Sequence, residues 1–203
     1  MKYRAVVFDL WDTLVVWPQN EWEGFHGRMA DALGIEPERF SEAWVGQYDL
    51  RATGPLEPSV RAVCEQLGVD GGRIDTLIGV RVDWTREVLF PRPGAVEVLD
   101  ELRRRGYRLG LISVCSEEVP KLWQHTALAS RIDEPVFSCS VGVAKPDPRI
   151  YLIAAERLGV ETRDCLFVDD QPGFVEGARA AGMDAVQLGG DIARLEDVLE
   201  LAE

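Results

Sequence analysis

Lysine is scarce in this chain: Lys2, Lys121 and Lys145 are three of only 22 basic residues, and 35 acidic residues outweigh them to give a formal charge of −13. So negative a balance argues against nucleic acid or an anionic membrane as the main partner, because either would need a basic patch to neutralise its phosphates. A small phosphorylated ligand stays admissible, because it needs only a locally positive pocket. Close-spaced cysteines are also missing. Cys64, Cys115, Cys139 and Cys165 are scattered, with no zinc-ribbon or thioredoxin-like spacing, and read as reduced thiols. The longest apolar runs, such as Ala5 to Phe8 and Leu109 to Ile112, fall far short of a bilayer span, and no charged-then-apolar leader opens the chain. A cytoplasmic protein is expected. Internal repeats and low-complexity segments are absent as well.

What remains is 203 residues with 46% hydrophobic and 28% charged side chains, enough for one domain with a real core and a modest insertion. Four short apolar runs, Ala5 to Phe8, Arg108 to Ile112, Pro135 to Phe137 and Cys165 to Val168, suit strands buried on both faces. Helical patterns lie between and after them, over Pro93 to Arg105, Pro148 to Leu158, Val175 to Ala181 and Ile192 to Leu201. Gly106 and Gly159 follow two of these helices as C-caps, and Asp147 before Pro148 is an N-cap. Strand and helix in alternation predict an α/β fold: a Rossmann-like parallel sheet with helices on both faces. The stretch from Val16 to Glu87 breaks the rhythm. It reads as helices over Glu21 to Leu33, Ser41 to Tyr48, Pro58 to Leu67 and Arg73 to Leu89, with no strand among them. Residues 1–15 and 88–203 are therefore expected to form the core, and 16–87 a small all-helical cap over the strand ends.

In an open parallel sheet, ligands bind beyond the carboxyl ends of the strands. Asp9, Ser113 and the pair Asp169-Asp170 occupy those ends. One such carboxylate is ordinarily a turn residue, but acids delivered to one rim by two strands repel each other unless a divalent cation relieves them. Hard oxygen ligands with open positions suit magnesium. Lys145, between Ala144 and Pro146 and just ahead of a helix start, offers a compact positive charge at a rigid position; alone it reads equally well as a solvated side chain.

The chain resembles the haloacid dehalogenase-like hydrolase superfamily, in which a helical cap is inserted after the first motif. Four motifs carry the resemblance: Val7-Phe8-Asp9-Leu10-Trp11-Asp12-Thr13-Leu14; Leu111-Ile112-Ser113; Gly142-Val143-Ala144-Lys145-Pro146-Asp147; and Phe167-Val168-Asp169-Asp170, with Gly177, Ala178 and Ala181-Gly182-Met183 downstream. The resemblance implies a magnesium-dependent phosphatase for a small phosphorylated metabolite. Asp9 would be the nucleophile that forms an aspartyl-phosphate. Ser113 and Lys145 would hold the phosphoryl group, and Thr13 would support the loop around it. Magnesium would be bound by Asp9, the main-chain carbonyl of Trp11, Asp169 and Asp170.

Two departures stand out. Family phosphatases usually carry a second aspartate two residues after the nucleophile, which protonates the leaving oxygen; here that residue is Trp11, and a missing general acid costs about 10²- to 10⁴-fold. Asp12 follows, where glycine is more usual, and reads either as a substitute acid or as a turn carboxylate. Val114 and Phe174 stand where related sequences often have asparagine. The tryptophan raises a rival reading as a 2-haloacid dehalogenase, but those enzymes carry a Ser-Ser-Asn fourth motif followed by an aspartate and no metal site. A member that binds its ligand without efficient turnover is a third reading. At the cap hinge, Trp17, Trp22, Phe25 and His26 are expected to pack rather than to line a pocket. Of the cap arginines Arg28, Arg51, Arg61 and Arg86, one is expected at most to reach a substrate anion, the others being solvated.

Overall fold

The computed structural model describes residues 2–18 and 22–203. Among these, five parallel strands form one sheet: β1 Ala5–Phe8, β2 Arg108–Ser113, β3 Glu134–Phe137, β4 Cys165–Asp169 and β5 Asp184–Gln187, in the order β3-β2-β1-β4-β5. The helices, in chain order, are α1 Gly27–Leu33, α2 Pro37–Gly46, α3 Tyr48–Ala52, α4 Leu56–Leu67, α5 Ile74–Val88, α6 Ala95–Arg104, α7 Glu118–Trp123, α8 Ser138–Val141, α9 Pro148–Leu158, α10 Pro172–Ala180 and α11 Val198–Leu201. None is long and apolar enough to cross a membrane.

Central β1 is buried on both faces, which is why it reads as a continuous apolar run. Val6 and Phe8 join a core with Leu99 and Leu102 of α6, Val119 and Trp123 of α7 and Val198 of α11. Ala5 and Val7 point the other way, into a core with Ile150, Tyr151 and Ala154 of α9 and Val175 and Ala178 of α10. Helices therefore cover both faces of a parallel sheet. Helix α9 starts and stops as its sequence dictates: the Asp147 carboxylate accepts from the Arg149 amide at 2.9 Å, Pro148 opens the first turn, and Gly159 closes the helix in the left-handed region at φ +64°.

The helices α1–α5 enclose a third core built on Phe25, Phe40, Trp44, Leu77 and Trp84. The chain enters and leaves this helical unit side by side, since Val15 bridges Pro91 and the Arg92 amide donates to the Leu14 carbonyl at 2.8 Å. The expected start of the first cap helix at Glu21 and the side chain of Trp22 lie outside the described residues. Trp22–His26 form a short π-helix that runs into α1.

Elsewhere the elements differ from expectation for identifiable reasons. Strand β5 was not anticipated because it lies at the sheet edge and carries polar Asp184 and Gln187 at its ends instead of an apolar run. Helix α2 starts at Pro37, ahead of the expected Ser41, because extended Glu36 and the following proline open it early. The short helices α3, α7 and α8 are too brief to show periodicity. The expected Ile192–Leu201 helix is instead a 3-10 turn, Leu195–Asp197, followed by α11, with Asp197 accepting from the Arg194 amide at 2.9 Å.

Candidate active site

Asp9 follows β1, and Asp169 ends β4. The β1–β4 register, Phe8 opposite Val168, sets these two aspartates side by side, and the Asp9 amide donates to the Val168 carbonyl at 2.9 Å. Lys145 reaches them from the loop before α9. Its ammonium donates to Asp9 Oδ1 and to Asp169 Oδ2, each at 2.5 Å, with its side chain fully buried. Asp170 completes a cluster in which Asp9, Asp169 and Asp170 each offer a ligand oxygen within 4.8 Å of the others. Asp169 Oδ1 also accepts from the Gln171 amide at 2.8 Å, which fixes its rotamer.

The lysine loop is set by close packing. A side-chain carbon on Gly177 of α10 would come within 2.8 Å of Pro146 Cβ and of the Pro146 carbonyl, and 2.9 Å from the Tyr151 hydroxyl. Only glycine lets α10 press against the residue after Lys145.

Burial raises the Asp9 carboxyl to about 7; Lys145 opposes this, and the negative charge of Asp169 reinforces it. Burial also pulls the Lys145 ammonium down, but Asp9 and Asp169 outweigh it and hold the lysine above its ordinary range. Asp170 is shifted upward mainly by burial. The ammonium bonds two of the three carboxyl groups, and one positive charge among three acids leaves the cluster net negative. An all-oxygen donor set of this charge and spacing fits a hard divalent cation. The Thr13 and Ser113 hydroxyls are fully buried and have no hydrogen-bond partner among the described residues. Buried hydroxyls are rarely left this way, so both keep unused hydrogen-bonding capacity beside the cluster.

A cavity of about 430 Å³ opens above the cluster, within the range typical of small-molecule sites. Asp9, Trp11, Asp12, Asp170 and Phe174 line it from the sheet side. Trp17, His26, Trp44, Tyr48, Arg51 and Arg81 line it from the cap side. Trp17 and His26 thus face the cavity as well as packing, which corrects the expectation of packing alone; Trp17 meets Trp11 edge-on at 4.6 Å and Trp84 at 5.5 Å. Burial, then Arg81 and Arg51, push the His26 imidazole down to about 4, so it is neutral at pH 7. Asp12 sits in the left-handed region at φ +58°, where glycine is comfortable, and its Oδ1 accepts from the Trp17 amide at 2.9 Å. Its carboxylate thus holds the turn into the hinge. Where asparagine is usual, the Phe174 ring lies 4.8 Å from the Lys145 ammonium.

Of the four cap arginines singled out in the sequence, Arg28, Arg61 and Arg86 form exposed pairs with Glu87, Glu57 and Asp83. Arg51 is buried, donates to the Trp44 carbonyl at 2.6 Å and stacks 4.1 Å above the Trp44 ring. Sequence reading missed Arg81, Trp44, Tyr48 and Glu118. The spacing of Trp44, Tyr48 and Arg51 at i, i+4 and i+7 is the helical signal that could have found part of this wall. Arg81 has no such signal, because it is defined by its partner: Glu118 at the start of α7 accepts from its guanidinium at 2.7 Å, the side chains being 8% and 0% exposed, and also accepts from Ser116 at 2.6 Å. This buried pair joins cap to core.

Over residues 3–182 the sequence matches the haloacid dehalogenase-like hydrolase family. The chain belongs to that family. This haloacid dehalogenase-like hydrolase is 34% identical to Phosphatase MT3486 of Mycobacterium tuberculosis (strain CDC 1551 / Oshkosh), over 91% of this chain and 87% of that protein. It is also 28% identical to an (S)-2-haloacid dehalogenase of Pseudomonas sp. (strain YL), over 88% of this chain and 79% of that one. Its fold resembles the crystal structure of a 2-haloacid dehalogenase from Pseudomonas syringae pv. Tomato DC3000, with a TM-score of 0.78, 22% identity, and coverage of 98% and 97% of the two chains.

Proposed function

We propose that this hydrolase is a magnesium-dependent phosphatase acting on a small phosphorylated metabolite. The observation that carries this reading is the carboxylate cluster of Asp9, Asp169 and Asp170, of which Lys145 bridges the first two, an arrangement that needs further positive charge before it can accept an anion. The similarity to a phosphatase over 91% of this chain supports it. Asp9, Asp169, Asp170 and the Trp11 carbonyl would hold magnesium, which supplies charge neutralisation for an incoming phosphoryl group. A carboxylate oxygen of Asp9 attacks phosphorus, the bond to the ester oxygen breaks, and its electron pair leaves with that oxygen. Lys145, Ser113 and Thr13 hold the phosphoryl oxygens during transfer. Water then attacks the aspartyl-phosphate, releasing phosphate and restoring Asp9.

A second reading, as a 2-haloacid dehalogenase, draws on Trp11 and on the dehalogenase relatives. It places a haloacid carboxylate beside a net negative cluster, which is electrostatically unfavourable. A third, in which the cavity binds a phosphorylated ligand without efficient turnover, draws on the missing second aspartate. A screen of phosphorylated metabolites with and without magnesium, alongside halide release from 2-chloropropionate, separates the three. Magnesium-dependent phosphate release that Asp9→Asn abolishes, with the fold intact by circular dichroism, is expected. Halide release without metal would establish the dehalogenase instead, and ligand-induced thermal stabilisation without turnover would establish the binding member.

A further inference from the structure

Resting on the phosphatase reading, the cavity above Asp9 defines which leaving group the site accepts. In-line attack by Asp9 directs the ester oxygen of a bound phosphoryl group away from the carboxylate and so into the cavity that Asp9 lines. The first side chain of the turn there is the Trp11 indole, edge-on to Trp17. Asp12, one residue later, has its carboxylate engaged by the Trp17 amide, and Asp170 accepts from the Gln171 side chain. Among the described residues of the wall, His26 carries a neutral imidazole. Rings of Trp17, Trp44, Tyr48 and Phe174 continue the surface, with the Arg51 guanidinium stacked on Trp44. The remaining O–H and S–H groups of the lining are weak acids, burial raising the Tyr48 phenol and the Cys115 thiol while Ser116 donates to Glu118, so the wall offers a departing group stacking and a positive field in place of a strong proton donor.

We propose that the preferred substrates are phosphate monoesters of aromatic hydroxyls, with the ring bound against the aromatic wall and the oxygen departing as a delocalised phenolate. The phosphorus–oxygen bond breaks with its electron pair on the phenolate oxygen, which takes its proton from water after release.

The test is magnesium-supported phosphate release from phenyl phosphates bearing substituents from nitro to methoxy, from acetyl phosphate and from propyl phosphate. Expected are a steep fall in kcat with leaving-group basicity and a kcat/KM for propyl phosphate about 10²- to 10⁴-fold below that for 4-nitrophenyl phosphate. Trp11→Asp should narrow that ratio by at least about tenfold, and Tyr48→Ala should raise KM for 4-nitrophenyl phosphate about two- to tenfold while leaving acetyl phosphate nearly unmoved. If wild-type enzyme turns over propyl phosphate as fast as 4-nitrophenyl phosphate, or if Asp12→Asn selectively slows propyl phosphate, a proton donor serves the leaving group and the proposal is overturned while the phosphatase reading stands. Phosphate release from none of these esters overturns both.

Discussion

The floor of the cavity is made of carboxylates held by one ammonium, whereas its cap wall is made of aromatic rings with guanidiniums stacked on them. The floor sits on strand ends, where a parallel sheet fixes the spacing of Asp9 and Asp169 by register. The wall is spread over the hinge, α2, α3 and α5, and one buried ion pair between Arg81 and Glu118 ties it to the core. A rigid floor suits chemistry on a small charged group, and a separate wall lets the remainder of a ligand be read independently.

The contrast breaks first at Lys145. Replacing it with Met leaves two buried carboxylates without their shared cation, and the metal-free protein should lose about 3–5 kcal/mol of stability. Magnesium should raise the melting temperature of this variant by more than it raises that of the wild type, because metal replaces the missing charge. Equal magnesium responses would mean the lysine is not what holds the floor.

Glu118→Gln strands the Arg81 charge in the cap–core interface and should cost on the order of 3 kcal/mol in urea unfolding. Arg81→Met combined with Glu118→Leu should be milder than the single change, since no unpaired buried charge is left. A double variant worse than the single one would remove this pair as the tie between wall and floor.

Gly177→Ala sharpens the floor alone. Overpacking against Pro146 should cost about 1–3 kcal/mol and lower kcat more than it raises KM, because it displaces the loop that presents Lys145. A change in KM only would place the strain elsewhere.

The smallest effect belongs to the wall. His26 has its pKa depressed from its usual 6.5 to about 4. Between those values the unfolded chain binds a proton that the folded chain does not, so this group makes stability fall as pH drops from about 6.5 to about 4. Asp9, raised to about 7, works in the opposite sense, binding its proton in the folded state and favouring the fold as pH falls. His26→Gln should therefore lose the acid-destabilising component, leaving melting temperature less dependent on pH, or rising, across that window. An unchanged profile would show that His26 does not carry its share.

Much of the floor was legible from residue order. Apolar runs ending in Asp9, Ser113 and Asp169-Asp170 announce strands and their carboxyl ends, because a strand buried on both faces admits no other pattern. The caps of α9 were equally plain, since Asp, Pro and Gly each have a local conformational reason for their place. The edge strand β5, the short helices and the wall were not, for they depend on neighbours distant in the chain. Arg81 and Glu118 lie 37 residues apart and carry no periodic mark; each is stable in the interior only because the other is there. The sequence alone determined the parallel α/β core, the inserted helices and the acids at one rim, all of which follow from short-range patterning. Tertiary structure alone decided that Lys145 bridges Asp9 and Asp169, that Asp12 serves a turn, and that rings and guanidiniums close over the site, because burial and pairing of charge exist only once the chain has folded.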